Sequence, residues 1–310
     1  MGTDLPTAAA AGTLELGGRI TVNRLGFGTM RLTGPGNWGR PRDHQQAVAV
    51  LRRAVDLGVT FIDTADSYGP FIAEELIRTA LHPYPPELVV ATKAGFLRTR
   101  PDATSTPSPA SWTPLGKPEY LRQQVEMSLR RLNTDCIKLF QLHRIDPDYP
   151  LYDQVGELAA MKAEGKIELI GLSEVSVDQL EKALAITSIA SVQNMYNLSS
   201  RDAEPLVNFC TQHGIAFIPW FPLAAGPLAA SDGPLQRIAA AHQASPSQLA
   251  LAWLLARSPI MLPIPGTSSV EHLAENIAAA AVALSDLDLE ALDTLSAEAH
   301  HRIHTEGVSR

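Results

Sequence analysis

Cysteine is scarce: Cys136 and Cys210 are the only two among 310 residues, and they form no CxxC motif. Disulfide frameworks and cysteine-ligated zinc are therefore not expected, and no other metal motif is seen. The setting implied is a reducing cytoplasm, with both thiols read as small apolar core residues. Long apolar runs are also missing, since nothing approaches the roughly 18 residues of a membrane span, and no membrane partner is expected. The opening MGTDLPTAAAAGTLEL lacks the basic start of a signal peptide, and Pro6 occupies the place where a myristoylation signal needs Ser or Thr. Residues 1–12 are expected to be a disordered lead-in. Blocks of basic residues are absent: 25 Lys and Arg against 33 Asp and Glu give a formal charge of −8, dispersed along the chain, which argues against a nucleic-acid partner. No internal linker rich in Gly or Ser appears, so residues 1–310 are read as a single domain. The apolar fraction, 45% against 19% charged, suffices for a sizeable core.

The order of periodic segments is more informative. LELGGRITV, with Gly17-Gly18 between strand-like halves, signals a hairpin ahead of the main pattern. Short β-branched runs then alternate with amphipathic helical segments. RLGFGTM, FIDTAD, LVVATKAG, IKLFQLH, IELIGLSE, SVQNMYN, AFIPWFPL and MLPIPGTS each precede at least one helix, and AFIPWFPL precedes two, LQRIAAAHQ and SPSQLALAWLLARS, which makes extra helices near the C-terminus. Strands apolar on both faces and separated by helices imply a parallel sheet buried by helices. Eight units at this length favour an α/β fold of the closed (β/α)8 TIM-barrel type, with an N-terminal β-hairpin, over a doubly wound sheet with an added lobe. The proline-rich stretch from Leu97 to Lys117 is too long for a plain connection and reads as a lid or binding loop after the third strand.

Four polar residues fall where strand-like runs end: Asp63, Tyr68, Lys93 and His143. In a (β/α)8 barrel the reacting groups gather at that end of the strands. Asp63 and Lys93 each share a strand face with apolar neighbours, so a structural ion pair would explain those two alone. Tyr68 and His143 at the same rim add a different possibility: Tyr68 gives a proton to a carbonyl oxygen, Lys93 lowers its pKa, Asp63 holds Lys93 charged, and His143 orients the substrate. Gly26-Phe27-Gly28 begins like a Rossmann fingerprint, but Arg31 stands where its third glycine would be. Thr267, Ser268 and Ser269 open a helix and could cap it or bind an anion. Ser173, Glu174, Gln193, Asn194 and Trp220 could form a cofactor groove, although Gln193 and Trp220 also suit ordinary buried roles.

The segments GFGTM, FIDTADSYG, ATK, QLHR, IGLSE, VQNMYN, PWFPL and IPGTSSVEHLAEN together resemble the aldo-keto reductase family, in its order and over nearly the whole chain. The resemblance implies NADPH-dependent reduction of a small-molecule carbonyl, with NADH as the other possible cofactor, and a tetrad of Asp63, Tyr68, Lys93 and His143. It further implies that Thr29, Met30 and Asp63 line the nicotinamide ribose, that Ser173 and Gln193 bind the carboxamide with Glu174 nearby, and that Trp220 stacks on the ring. Pro222, Leu223, Ala224 and Gly226 would border the pyrophosphate. Ile264, Gly266, Thr267, Ser268 and His272 would surround the 2′-phosphate, and Glu275 and Asn276 the adenine. Many members carry Lys and Arg at the phosphate where this chain has Gly266 and His272. The opening NRLGFGTMRLTGPG and the stretch LAWLLARSP resemble a bacterial branch that includes pyridoxal reductase-like proteins, making pyridoxal one candidate substrate. Met30, Trp38, Phe96, Trp112 and Arg144, with Tyr68 and His143, are the expected substrate lining, suited to aromatic or polycyclic carbonyls. Variable loops at about 34–42 and 96–117, and the tail after Ser285, are expected to set selectivity. A Schiff-base aldolase using Lys93 and a slow cofactor-binding sensor resembling channel subunits are the alternatives. The oligomeric state, monomer or homo-oligomer, stays open.

Overall fold

A computed structural model describes residues 6–103, 111–223 and 233–306. Strands β1 (Thr13–Leu16) and β2 (Ile20–Asn23) form the expected antiparallel hairpin, turning through Gly17 and Gly18 at φ of 57° and 66°. Both angles are cheap only for glycine. There follow β3 (Phe27–Gly28), α1 (His44–Asp56), β4 (Phe61–Asp63), α2 (Ile72–Leu81), β5 (Val89–Ala94), a short antiparallel pair β6 (Phe96–Leu97) and β7 (Thr113–Pro114), α3 (Pro118–Leu132), β8 (Ile137–Leu142), α4 (Leu151–Ala163), β9 (Ile167–Ser173), α5 (Val177–Leu184), β10 (Ser191–Gln193), α6 (Glu204–His213), β11 (Ala216–Phe217), α7 (Pro234–Ala241), α8 (Pro246–Arg257), α9 (Val270–Ala278) and α10 (Asp286–Glu306).

Helix starts follow local chemistry. Asp43 accepts from the Gln46 amide at the head of α1, and Ser176 and Ser245 form reciprocal capping boxes with Gln179 and Gln248. Among the described residues, no helix is long and apolar enough to cross a membrane.

Strands β3, β4, β5, β8, β9, β10 and β11 make one parallel curled sheet in that order. The eighth run, expected as a full strand in MLPIPGTS, is reduced to a bridge between Met261 and Phe217. It still joins both edges, because Leu262 N donates to Phe217 O at 2.9 Å and Gly26 N donates to Pro263 O at 2.9 Å. Pro263 and Pro265 have no N–H, which is why a regular ladder cannot form there. The closed sheet is thus the α/β barrel expected.

Period-two alternation sorts the strand residues. Ile62, Val90, Phe140, Ile170 and Val192 face the helices, while Phe61, Val89, Ala91, Leu139 and Leu169 fill the interior. Leu14, Leu16 and Val22 of the hairpin join that interior cluster and plug the N-terminal end. The opposite end is therefore the one available for chemistry.

Three expectations are corrected. Part of the lead-in is ordered: Ala8–Ala11 form a 3-10 turn, Ala8 is buried and its N–H donates to Leu57 O, so apolar contact outweighs fraying. The tail after Ser285 is the long helix α10, started by a reciprocal exchange in which Ser285 N donates to Asp288 Oδ2 and Asp288 N donates to Ser285 Oγ. Cys210 is buried, but Cys136 is only half-buried, lying just before β8.

Candidate active site

The polar ends of the interior-facing strand positions converge at the C-terminal mouth. Asp63 is the last residue of β4 and Lys93 lies next to the end of β5, both essentially inaccessible to water. Lys93 Nζ donates to Asp63 Oδ2 at 2.7 Å, to the carbonyl of Thr64 at 2.9 Å and to Tyr68 Oη at 3.4 Å. The other Asp63 oxygen, Oδ1, accepts from Gln141 Nε2 at 3.2 Å and Gln193 Nε2 at 2.9 Å. A buried ion pair with its remaining lone pairs satisfied in this way avoids the desolvation penalty of an isolated charge. His143 follows β8 directly, and its Nδ1 lies 3.3 Å from the Ser67 hydroxyl. The Tyr68 and His143 rings meet edge to face at 5.9 Å.

These positions fix the protonation pattern. Burial alone would lower the Lys93 pKa, but the Asp63 charge, then Tyr68 and the hydrogen bonds to both, raise it above its ordinary value. Lys93 is a cation. His143 is held well below its ordinary value by burial first and then by the positive charges of Lys93, Arg144 and Arg98, so its imidazole is neutral. Lys93 does pull the Tyr68 pKa down, as expected, but the expected net lowering is corrected: burial outweighs that pull and raises the phenol above its ordinary value, with Asp63 adding to the rise. Tyr68 is a protonated phenol with a cation at its oxygen.

Around this centre the lining is aromatic. Phe96 stands 4.8 Å from His143 and 5.3 Å from Trp112 between ring centres, and Trp112 lies 6.4 Å from Tyr68. Met30 packs against the same cluster. Arg144 holds its guanidinium 5.4 Å over Phe96 and 4.0 Å from Glu174. Trp38 is bridged to Gly69 and faces, at 5.7 Å, the Arg98 guanidinium that also lies 3.8 Å over Trp112.

The remaining strand ends supply hydroxyls, amides and an indole. Thr29, buried after β3, donates its hydroxyl to the Asp63 carbonyl. Buried Ser173 closes β9 and buried Gln193 closes β10. Gln193 already spends an amide hydrogen on Asp63, a use the sequence did not suggest. Glu174 accepts from the Trp220 indole and from the Met195 amide, which pins Trp220 at the rim. Pro222 is buried and Leu223 half-buried, while Ala224 and Gly226 lie outside the described residues. Past the eighth run, Ile264 is buried, and a Cβ on Gly266 would sit 2.7 Å from the Gly28 carbonyl. Thr267 Oγ1 accepts from Ser269 N, Ser269 caps α9 through the His272 amide, Ser268 and His272 are exposed, and Glu275 and Asn276 follow on the helix.

Four residues here were not singled out from the sequence: Thr64, Ser67, Gln141 and Asp66. Gln141 had a readable signal, since it shares a strand face with His143 two residues on. Asp66 is buried with Oδ1 unpaired, and burial together with the Glu74 charge pushes its carboxyl well up.

Residues 24–297 match the model of the aldo/keto reductase family. The chain belongs to the aldo/keto reductase family. This reductase is 50% identical over 286 residues to an uncharacterised oxidoreductase of Schizosaccharomyces pombe, covering 92% of this chain and 90% of that one. It is 42% identical to the pyridoxine 4-dehydrogenase of Escherichia coli, over 93% of this chain and all of the relative. Among solved structures, an aldo-keto reductase of Klebsiella pneumoniae in complex with NADPH is similar with a TM-score of 0.75 and 31% identity, covering 92% of this chain and 94% of the other. The reductase is accordingly an oxidoreductase with a barrel fold.

Proposed function

We propose that this reductase uses NADPH to reduce an aldehyde or ketone to the alcohol, with Tyr68 delivering the proton and pyridoxal-like or larger aromatic carbonyls as substrates. The observation that carries the proposal is the chain from Asp63 through Lys93 to the Tyr68 oxygen, with steps of 2.7 and 3.4 Å, beside a neutral His143. Bound nicotinamide supplies the hydride. Tyr68, kept protonated by its burial, donates to the carbonyl oxygen. Charge then left on the phenol is stabilised by Lys93, which Asp63 holds charged and in place. Ser67 occupies Nδ1 of His143, so Nε2 is the nitrogen offered to the substrate oxygen, and the aromatic lining takes the rest of the molecule.

The donor set fits a nicotinamide dinucleotide: a buried hydroxyl and amide at the ends of β9 and β10, an indole fixed at the rim, and a hydroxyl-rich start to α9. In this reading Thr29, Met30 and Asp63 lie at the ribose, Ser173 and Gln193 at the carboxamide, Trp220 on the ring, and Pro222 and Leu223 at the pyrophosphate. Gly266, Thr267, Ser268 and His272 take the 2′-phosphate, with Ile264 beneath, and Glu275 and Asn276 take the adenine. The solved relative complexed with NADPH supports the cofactor, and the relative named for pyridoxine supports the substrate class, pyridoxal being the 4-aldehyde of that alcohol. A Schiff-base role for Lys93 is disfavoured, because a lysine with a raised pKa in an ion pair is a poor amine nucleophile.

The test is NADPH oxidation with pyridoxal and with a generic aldehyde, followed by fluorescence. Turnover is expected with at least one of them, and Tyr68→Phe is expected to lose it while still quenching NADPH fluorescence. Undiminished turnover in that variant removes Tyr68 as the acid.

A further inference from the structure

The two loops that border the aromatic lining are joined by one carboxylate that touches none of the reacting groups. The side chain of Asp102 is fully buried. Its Oδ1 accepts from Trp112 Nε1 at 2.8 Å and from the Ser111 hydroxyl. Its Oδ2 accepts from Asn37 Nδ2 at 2.8 Å and lies 3.6 Å from the Arg98 guanidinium. The backbone is fixed as well: Asp102 N donates to Gly36 O at 2.9 Å, and Gly36, at φ of 67°, comes so close that a Cβ there would stand 2.6 Å from the Asp102 carbonyl. Arg98, also buried, lays its guanidinium over Trp112 at 3.8 Å. The indole is thus gripped at its N–H edge by Asp102 and on one face by Arg98, while Phe96, His143 and Tyr68 surround it at 5.3, 6.0 and 6.4 Å.

Building on the carbonyl-reductase reading above, we propose that Asp102 is a positioning residue that holds Trp112 and so sets the preference of this site for flat aromatic over small aliphatic carbonyls. A wall ordered before the substrate arrives spares a flat ring the cost of ordering it. A small aldehyde seated between Tyr68 and His143 gains little from that wall. Without Asp102 the indole N–H and the Arg98 charge lose their buried acceptor, and the indole must turn to find another.

The experiment compares 2-naphthaldehyde with propanal at saturating NADPH in wild type, Asp102→Ala and Asp102→Asn, with NADPH affinity and thermal midpoint measured alongside. Asp102→Ala is expected to raise KM for naphthaldehyde about tenfold, the size of one lost buried hydrogen bond, with kcat and the propanal KM changing less than about twofold. Asp102→Asn keeps an oxygen for the indole but turns its amide donors toward Asn37 and Arg98, and is expected to recover only part of the loss. If the alanine variant does not fold, the asparagine variant carries the same test through a smaller KM split. An equal KM rise for both aldehydes, or none for naphthaldehyde, overturns the positioning role while leaving carbonyl reduction standing. A wild-type protein that oxidises NADPH with neither aldehyde overturns both.

Discussion

Tyr68 is subject to opposing influences: burial raises its pKa and Lys93 pulls it down, with burial the larger. A protonated acid is therefore present throughout the neutral range. The kcat for reduction is expected to stay flat through neutrality and to fall only on the alkaline side, beyond the usual tyrosine value of about 10. A pH–rate profile with an alkaline limb near neutrality would contradict this. His143 has the opposite shift, and its sign governs stability. Because its folded pKa is depressed, its contribution is present above the unfolded value of about 6.5 and is lost as pH falls through the folded value. Urea midpoints measured from pH 8 down to pH 5 are expected to decline, and to decline less in His143→Gln. Lys93→Met strands Asp63 as a buried charge and is expected to cost about 3–5 kcal/mol in urea denaturation. The double variant with Asp63→Asn is expected to lose less than the two single losses combined, because the residues touch.

At the scale of elements, the start of α9 combines a cap with exposed hydroxyls. Ser269 Oγ accepts from the His272 amide at 3.2 Å, while Ser268 beside it is exposed. A carboxylate at Ser268 would remain compatible with the helix dipole but would repel a phosphate. Ser268→Asp is therefore expected to weaken NADPH binding about tenfold or more, with NADH little changed, as read by fluorescence titration. Equal effects on the two cofactors would place the 2′-phosphate elsewhere. The helices themselves were readable in the sequence because amphipathic period is a local property, and at Asp43, Ser176 and Ser245 a cap that accepts from an amide three residues on adds to it. The tail after Ser285 was missed as a helix although Ser285 and Asp288 carry the same signal, since its weak apolar periodicity gives little sign of a buried face.

Across the whole molecule, barrel closure rests on close backbone approach at the seam. A Cβ on Gly28 would stand 2.8 Å from the Ile264 carbonyl, whereas one on Gly156, within α4, would meet nothing within 4 Å. Gly28→Ala is expected to lower stability by about 1–3 kcal/mol through overpacking. Gly156→Ala is expected to raise it by up to about 1 kcal/mol through helix propensity. Thermal denaturation of the two variants measures both.

The sequence by itself determined the succession of strands and helices, the hairpin ahead of them, and the placement of Asp63, Tyr68, Lys93 and His143 at strand ends, because periodicity and strand polarity are local properties. Tertiary structure alone decided what depends on neighbours distant in the chain. It reduced the eighth strand to a bridge, gave Gln193 to Asp63 across 130 residues, reversed the shift of Tyr68 by burying it, and brought Asp102 to Asn37 and Trp112. Burial and partners set the charge and position of a side chain, and neither exists until the barrel has closed.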